Sequence, residues 1–321
     1  MSAREHLSPN QRAWRRFLQN RIAVMSAIVL GAMGMIVMAM PLLVPEKAND
    51  TDSSVGTGML HHPDAHSDFP FTKPNSRHLF GTDIHGRDLL SRVVIGARVS
   101  LIVGFVGALV SLVIGVTWGA LAGYLGGRWD NWMMRGVDVL YSLPSIVFVI
   151  VLVTTLNGLL DKWQGSSQLP PGSVDALKFI GLFAGLGAVS WLTMARIVRG
   201  QVLTLRTRAF VDASRALGAS SRHILWRHIL PNTAGIIIVY LMLTIPSIVL
   251  YESFLSYLGL GIQPPQASLG SLIADGALQI NPVRIYWWLL VFPSAMLVGT
   301  LLALNFVGDG LRDAFDPRGD T

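Results

Sequence analysis

The side chains of this chain that could do chemistry are few. His61, His62 and His66 stand near Asp64 and Asp68, and imidazole with carboxylate is a donor set for a divalent ion. No fixed scaffold sets their spacing, and the preceding Asp50–Gly58 (DTDSSVGTG) has the composition of a disordered segment, so the preferred interpretation is a flexible polar loop and no metal site is assigned. Asp83, Arg87 and Asp88 are spaced to pair locally within a loop. No Gly-Lys dipeptide occurs, which removes a phosphate-binding loop for ATP. Cysteine is absent, which excludes disulfides, zinc-thiolate clusters and thiol nucleophiles. No nucleophile–base constellation is visible, so no catalytic residue is assigned and the chain is expected not to be an enzyme. What remains is an element suited to docking. Phe210–Asn232, FVDASRALGASSRHILWRHILPN, carries Arg215, Arg222 and Arg227 against one acid, Asp212. It is expected to form a short helix, a turn at Gly218, a second helix and a stop at Pro231. Ala213, Ala216 and Ala219 are spaced to share one helix face, where small side chains let a partner's groove close on the backbone. Gly218 accepts a positive φ without steric cost. Such an element can dock a soluble partner, or lie as an amphipathic helix with its arginines on lipid phosphates.

The elements that must position these residues belong to a membrane protein. Hydrophobic residues make up 51% of the chain and charged residues 14%, where a soluble domain carries roughly 25% charged residues. The excess of Lys and Arg is loop charge rather than a nucleic-acid patch, because it lies between apolar spans. Six charge-free segments approach the roughly 20 residues a spanning helix needs: Ile22–Val44, Val99–Leu121, Leu143–Leu160, Phe179–Ala195, Thr233–Tyr251 and Ile285–Val307. The third and fourth are short and are expected to extend into flanking polar residues. All are expected to be helices, since a barrel would show alternating strands. The first follows Arg15, Arg16 and Arg21 as in a signal peptide, but is too long for an h-region and is expected to be an uncleaved anchor.

Basic residues set the expected orientation. With the N-terminus inside, 16 of the 25 Lys and Arg fall on the inner side, seven of them between Arg196 and Arg227. Both termini and the 196–232 loop are then cytoplasmic. The chain divides into residues 1–95 (basic tail, first span, long outer loop), 96–308 (five spans) and a tail, 309–321. No internal repeat is evident, which argues against a secondary transporter. No span so bounded contains an ionisable residue, and Glu252 is expected at the interface, so proton or sodium coupling has no evident carrier. Gly115, Gly119 and Gly123 form a small-residue ladder on the second span, which lets another helix approach or is an incidental feature of a lipid-facing run. Pro144, Pro246 and Pro293 interrupt the third, fifth and sixth spans, as kinks for gating or for static packing.

Val211, Asp212, Ala213, Ser214, Arg215, Ala216, Leu217, Gly218 and Ala219, with Pro231 downstream, resemble the "EAA…G…LP" coupling loop of ATP-binding-cassette import permeases, with Asp212-Ala213-Ser214 where that family often has Glu-Ala-Ala. His78–Leu101, HLFGTDIHGRDLLSRVVIGARVSL, resembles the signature of C-type subunits of oligopeptide and dipeptide permeases through Gly81-Thr82-Asp83, Gly86-Arg87-Asp88, Ser91-Arg92 and Gly96-Ala97-Arg98. Arg196–Gly200, Glu252–Gly261 and Phe306–Arg318 (FVGDGLRDAFDPR) are similar to further segments of the same family, while Glu46–Pro74 matches least. The resemblance implies an all-α membrane protein with six transmembrane helices and a type I importer permease fold in a bacterial inner membrane. It implies a B-type permease partner, two ATP-binding subunits that carry ATP and Mg, a periplasmic peptide-binding protein, and no cofactor on this chain. Oligopeptides are the cargo it implies, with dipeptides, nickel or antimicrobial peptides as alternatives, and a stand-alone transporter as the more distant one.

Overall fold

A computed structural model describes residues 9–43, 69–166, 173–262, 266–280 and 282–315. His61, His62, His66 and most of the outer loop therefore lie outside the described residues. Among the described residues ten helices follow one another: α1 (Pro9–Gln19), α2 (Arg21–Leu43), α3 (Leu89–Leu125), α4 (Gly127–Tyr141), α5 (Ser145–Ser166), α6 (Ser173–Leu205), α7 (Ala209–Ala216), α8 (Ser221–Tyr257), α9 (Leu269–Leu278) and α10 (Trp287–Phe315). Among the described residues strand pairing is limited to two isolated bridges, Thr82 with Asp88 and Ile280 with Ile285. Six helices, α2, α3, α5, α6, α8 and α10, are long and apolar enough to cross a membrane.

The spans outrun the charge-free segments. α3 and α8 each have 37 residues, about 55 Å at ~1.5 Å per residue, against a hydrocarbon core of about 30 Å. Helices do not stop at the first charge: α3 includes Arg92 and Arg98, and α6 includes Arg196 and Arg199. The third and fourth spans do extend into polar flanks, as α5 and α6. The expected stop at Pro231 is corrected, because α8 runs from Ser221 through Pro231 to Tyr257. Residues Ile224–Ile229 form a π segment in which the Leu230 amide donates to the Leu225 carbonyl. The wide turn ends beside Pro231, where hydrogen-bond register changes and a missing N–H is cheapest. Pro144 also differs from expectation. It precedes α5, and its carbonyl accepts from the Phe148 amide at 3.1 Å, so it opens that helix instead of interrupting it. Pro246 and Pro293 do lie inside α8 and α10.

Contacts group the chain otherwise than the linear division into 1–95, 96–308 and 309–321. Two compact units form: Met1–Met25, Phe105–Ile248 and Asn305–Thr321 in one, Ser26–Gly104 and Val249–Leu304 in the other. The reason is helix length, since α2, α3, α8 and α10 each contribute a part to both.

In the first unit the glycine ladder meets α6. A Cβ on Gly115 would lie 2.6 Å from the Met194 Cβ, one on Gly119 would fall on the Ala195 carbonyl, and one on Gly123 would lie 2.9 Å from the Arg199 carbonyl. Lipid tails are as apolar as leucine, so van der Waals contact of this closeness, more than water exclusion, holds the helices together. At the chain ends, Gly310 of α10 admits Ala23 of α2 and Phe17 of α1, and Gly235 of α8 admits Phe315. The start of α2 and the end of α10 thus lie together, as an even number of crossings requires.

The second unit is built around Met33 and Val37 of α2, Leu89, Val93, Val94 and Ala97 of α3, Leu269 and Leu272 of α9, and Trp288 and Leu289 of α10. Phe71 stacks on Tyr286 at 4.2 Å and Phe80 on Phe292 at 4.0 Å, fastening the loop before α3. Gly96 leaves room for the first turn of α9 at Ser268 and Leu269.

Candidate docking helix and its supports

α7 has eight residues and one buried anchor. Val211 has 0% relative exposure and enters a cluster with Ala120, Met194, Val198, Val202, Ile224, Leu225 and Ile229. A β-branched side chain held this way fixes the helix rotation and leaves the other faces free. Asp212, Ala213, Arg215, Ala216, Leu217 and Gly218 are exposed, and Ser214 is half-buried with its hydroxyl donating to the Phe210 carbonyl at 2.8 Å. Leu217 is 89% exposed and Phe210 39%, so one large apolar side chain stands almost bare beside a basic surface and a second is partly open next to it. Arg215 reaches Asp212 at 3.1 Å across an exposed turn, a pair worth at most ~0.5 kcal/mol.

Gly218 has φ +81°. Its amide donates to the Arg215 carbonyl at 2.9 Å, and the Ala219 amide donates to the Ser214 carbonyl at 3.0 Å. That bond pair is the Schellman closure, which needs a left-handed residue after the helix. The chain then enters α8, where the Ser220 hydroxyl accepts from the His223 amide at 3.3 Å. One expectation fails here. Ala213 and Ala216 lie on the exposed helix, but Ala219 stands past the Schellman turn and packs half-buried against the Val211 cluster, so the three alanines do not share a face. The 196–232 loop is mostly helical: Arg196–Leu205 ends α6, and α8 begins at Ser221.

The frame beneath α7 rests on ion pairs that the sequence did not single out. Arg199 of α6 donates from Nε and Nη2 to both oxygens of Asp130 on α4, the second at 2.7 Å. Arg196 reaches Asp138 at 2.7 Å and lies 3.9 Å from the centroid of the Tyr141 ring. Two acids eight apart on one helix facing two arginines three apart on another was the available signal; as loop charges they count only toward topology. Arg206 donates to the carbonyls of Gly123 and Tyr124 at 3.1 Å each, closing the C-terminal end of α3. Among the described residues Arg208, Arg222 and Arg227 have no acidic partner in the chain, and Arg222, Leu225 and Trp226 of α8 line a groove of about 610 Å³ with Arg215 of α7 and Leu121, Tyr124 and Leu125 of α3.

In the second unit, each signature residue before α3 has a local duty. Gly81 (φ +78°) passes beneath Trp288 and the Thr72 carbonyl, where a Cβ would collide. The Thr82 hydroxyl accepts from the Thr72 amide at 2.8 Å and donates to the Phe69 carbonyl, and the Trp288 Nε1 donates to the Thr82 carbonyl at 3.3 Å. Asp83 accepts from the His85 and Arg87 amides and from Arg87 Nε at 2.7 Å, around a turn whose Gly86 has φ +76°. Asp88 does not pair with Arg87. It caps α3 by accepting from the Ser91 amide and hydroxyl at 2.9 Å each, and its other oxygen faces His78 Nδ1 at 2.9 Å.

Glu252 is fully buried near the C-terminal end of α8, with 0% exposure. Its carboxylate accepts from the Ser100 hydroxyl of α3 and the Ser256 hydroxyl at 2.7 Å each. Ser100 in turn accepts from the Leu269 amide at 3.3 Å, and Ser256 from the Ile262 amide at 3.2 Å. The carboxylate ties α3, α8 and the start of α9 into one hydroxyl network.

Comparison with known proteins places this geometry. Residues 115–320 match the family described as binding-protein-dependent transport system inner membrane component. Residues 8–63 match the N-terminal transmembrane domain of oligopeptide transport permease C. The oligopeptide transport system permease protein OppC of Escherichia coli K12 is 45% identical over 308 residues, covering 96% of this chain and 91% of that protein. OppC of Haemophilus influenzae is 42% identical with 96% and 88% covered, and the dipeptide transport system permease protein DppC of Bacillus subtilis is 39% identical with 98% and 88% covered. A solved structure of inward-facing conformations of the MetNI methionine ABC transporter superposes with a TM-score of 0.52 at 20% identity, covering 70% of this chain and 97% of that one, which is a likeness of fold. A nearly all-helical chain with six spans and this neighbour has the type I importer permease fold. With that fold, and with matches at this identity over nearly its whole length, the chain belongs to the binding-protein-dependent transport system inner membrane component family, in the branch of oligopeptide permease C.

Proposed function

We propose that this chain is one of two pore-forming permease subunits of an ATP-driven oligopeptide importer, and that α7 with the Gly218 turn is where an ATP-hydrolysing subunit grips it. The observation that carries this is an eight-residue helix whose one buried residue is Val211, with Leu217 left bare at its end and Phe210 partly open. Both termini and α7 face the cytoplasm, in keeping with 16 of 25 basic residues on that side. ATP and Mg sit on the partners, since this chain has no phosphate-binding loop. A periplasmic binding protein delivers the peptide and a B-type permease completes the pathway. ATP binding draws the partner subunits together, α7 follows as a rigid body, the pathway opens outward, and hydrolysis returns it. The α6–α4 ion pairs and the glycine-packed α3 carry that displacement into the spans.

The absence of cysteine makes a direct test simple. Leu217→Cys introduces a single thiol at the most exposed point of the turn. In native membranes it is expected to cross-link to a subunit containing a phosphate-binding loop, and mild-detergent purification should recover a second permease and two such subunits. A chain that purifies alone and cross-links to nothing contradicts the assignment. A second cargo, dipeptides, is suggested by the similarity to the dipeptide permease. Uptake competition with peptides of increasing length in a deletion strain separates the two.

A further inference from the structure

α1 has a surface to which the proposed cycle gives no part. Its sequence, PNQRAWRRFLQ, contains three arginines and no acid. Ala13 and Phe17 are buried, with Phe17 seated against Gly310 of α10, which fixes the rotation of the helix. Next to that buried stripe Trp14 is 61% and Leu18 53% exposed, with the Trp14 ring stacked 5.8 Å from Phe17. Arg15, one and three residues from them, is exposed on the same side of the helix. Asn20 turns the chain into α2, its side chain accepting from the Ala23 amide at 3.2 Å. The first exposed residues of that spanning helix are Arg21, Ile22 and Met25.

We propose that the face formed by Trp14, Arg15, Leu18 and Arg21 is a binding site for an anionic phospholipid, headgroup phosphate on the two arginines and upper acyl chain along Trp14, Leu18 and Ile22. Two observations select lipid over a protein partner. The apolar part is continuous with Ile22 and Met25, the exposed apolar residues at the start of the first span, where lipid tails meet headgroups. The polar part is cationic, with no acid on α1 itself, next to the span, where each basic residue gains from an anionic surface. A tryptophan between the two occupies the depth that amphipathic rings prefer.

The assembled transporter is reconstituted with phosphatidylglycerol or phosphatidylcholine carrying brominated acyl chains at equal mole fraction. Bromine quenches tryptophan at short range, and the difference between the native chain and Trp14→Phe isolates Trp14 from the other eight tryptophans. Trp14-dependent quenching is expected to favour brominated phosphatidylglycerol, and the preference to fall roughly fivefold for each of Arg15→Gln and Arg21→Gln. Arg15→Lys with Arg21→Lys should retain it. Should the glutamine variants fail to assemble, a salt titration of the native complex serves instead, because an ionic preference weakens with salt. Equal quenching by the two lipids, or a preference insensitive to salt, overturns the headgroup site. Absence of Trp14-dependent quenching overturns the lipid assignment altogether and indicates that protein covers this face.

Discussion

Replacing Gly218 by valine isolates the backbone demand of the docking turn. The φ of +81° lies where a side chain is strained, while a Cβ there meets nothing within 4 Å. The cost is thus purely conformational, at roughly 1–2 kcal/mol for an L-residue and more for a β-branched one. At about 1.4 kcal/mol per tenfold, the Schellman-closed turn loses roughly 5- to 30-fold in population relative to relaxed alternatives. α7 remains anchored by Val211, so insertion and expression are expected to hold. Docking, which needs the closed turn, weakens by that factor. The assay is titration of purified ATP-binding subunits onto the permease pair, with peptide uptake in proteoliposomes alongside. Gly259, at φ +75° and equally open, is the matched control, since it carries the same strain away from α7. Gly259→Val should leave subunit affinity unchanged, and Gly218→Asn should recover part of the loss because asparagine tolerates the left-handed region. Native affinity and uptake in Gly218→Val would refute the role assigned to this turn.

Three further outcomes follow from the packing. Gly119→Ala places a methyl on the Ala195 carbonyl and should destabilise by about 1–3 kcal/mol through overpacking, read as a lower unfolding temperature in detergent; Gly136→Ala, with nothing within 4 Å, should not. A double-mutant cycle on Asp130 and Arg199, whose bond is bidentate and whose acid is buried, should give a coupling of about 1.5–3 kcal/mol, against at most ~0.5 kcal/mol for exposed Asp212 and Arg215. A coupling no larger in the first pair than in the second would contradict the rivet between α4 and α6. Glu252→Ala leaves the Ser100 and Ser256 hydroxyls without their acceptor and should cost roughly 2–4 kcal/mol, while Glu252→Gln, which keeps the shape and one acceptor oxygen, should cost clearly less. Equal thermal stability of the two variants would argue against the hydroxyl network.

How far the sequence reached depended on the range of the interaction. Six spans were legible because lipid leaves the backbone one solution, a helix of about 20 apolar residues. The turn at Gly218 was legible because left-handed backbone and glycine are tied within a few residues. The duties of Gly81, Asp83 and Asp88 rest mostly on partners ten or fewer positions away, and the motif that carries them could be recognised without the fold. Hydropathy misplaced the helix ends, because Arg92, Arg98, Arg196 and Arg199 sit inside helices that continue past the apolar core. The stop at Pro231 failed for a related reason, since a π segment just before it carries α8 through.

What only the tertiary structure decided lies between residues distant in sequence. Arg199 finds Asp130 across 69 positions, Glu252 finds Ser100 across 152, and Trp288 finds Thr82 across 206. The glycine ladder announced a close approach, and only packing chose α6 as the helix that makes it. Composition and local pattern determined that this chain is a six-span helical membrane protein with a glycine-closed turn at Gly218, since those properties follow from how a short segment meets lipid or its own backbone. Which arginines are bound and which left free, where a buried carboxylate rests, and that Val211 alone holds the docking helix were decided by the packing of helices against one another, a physical outcome that no single segment contains.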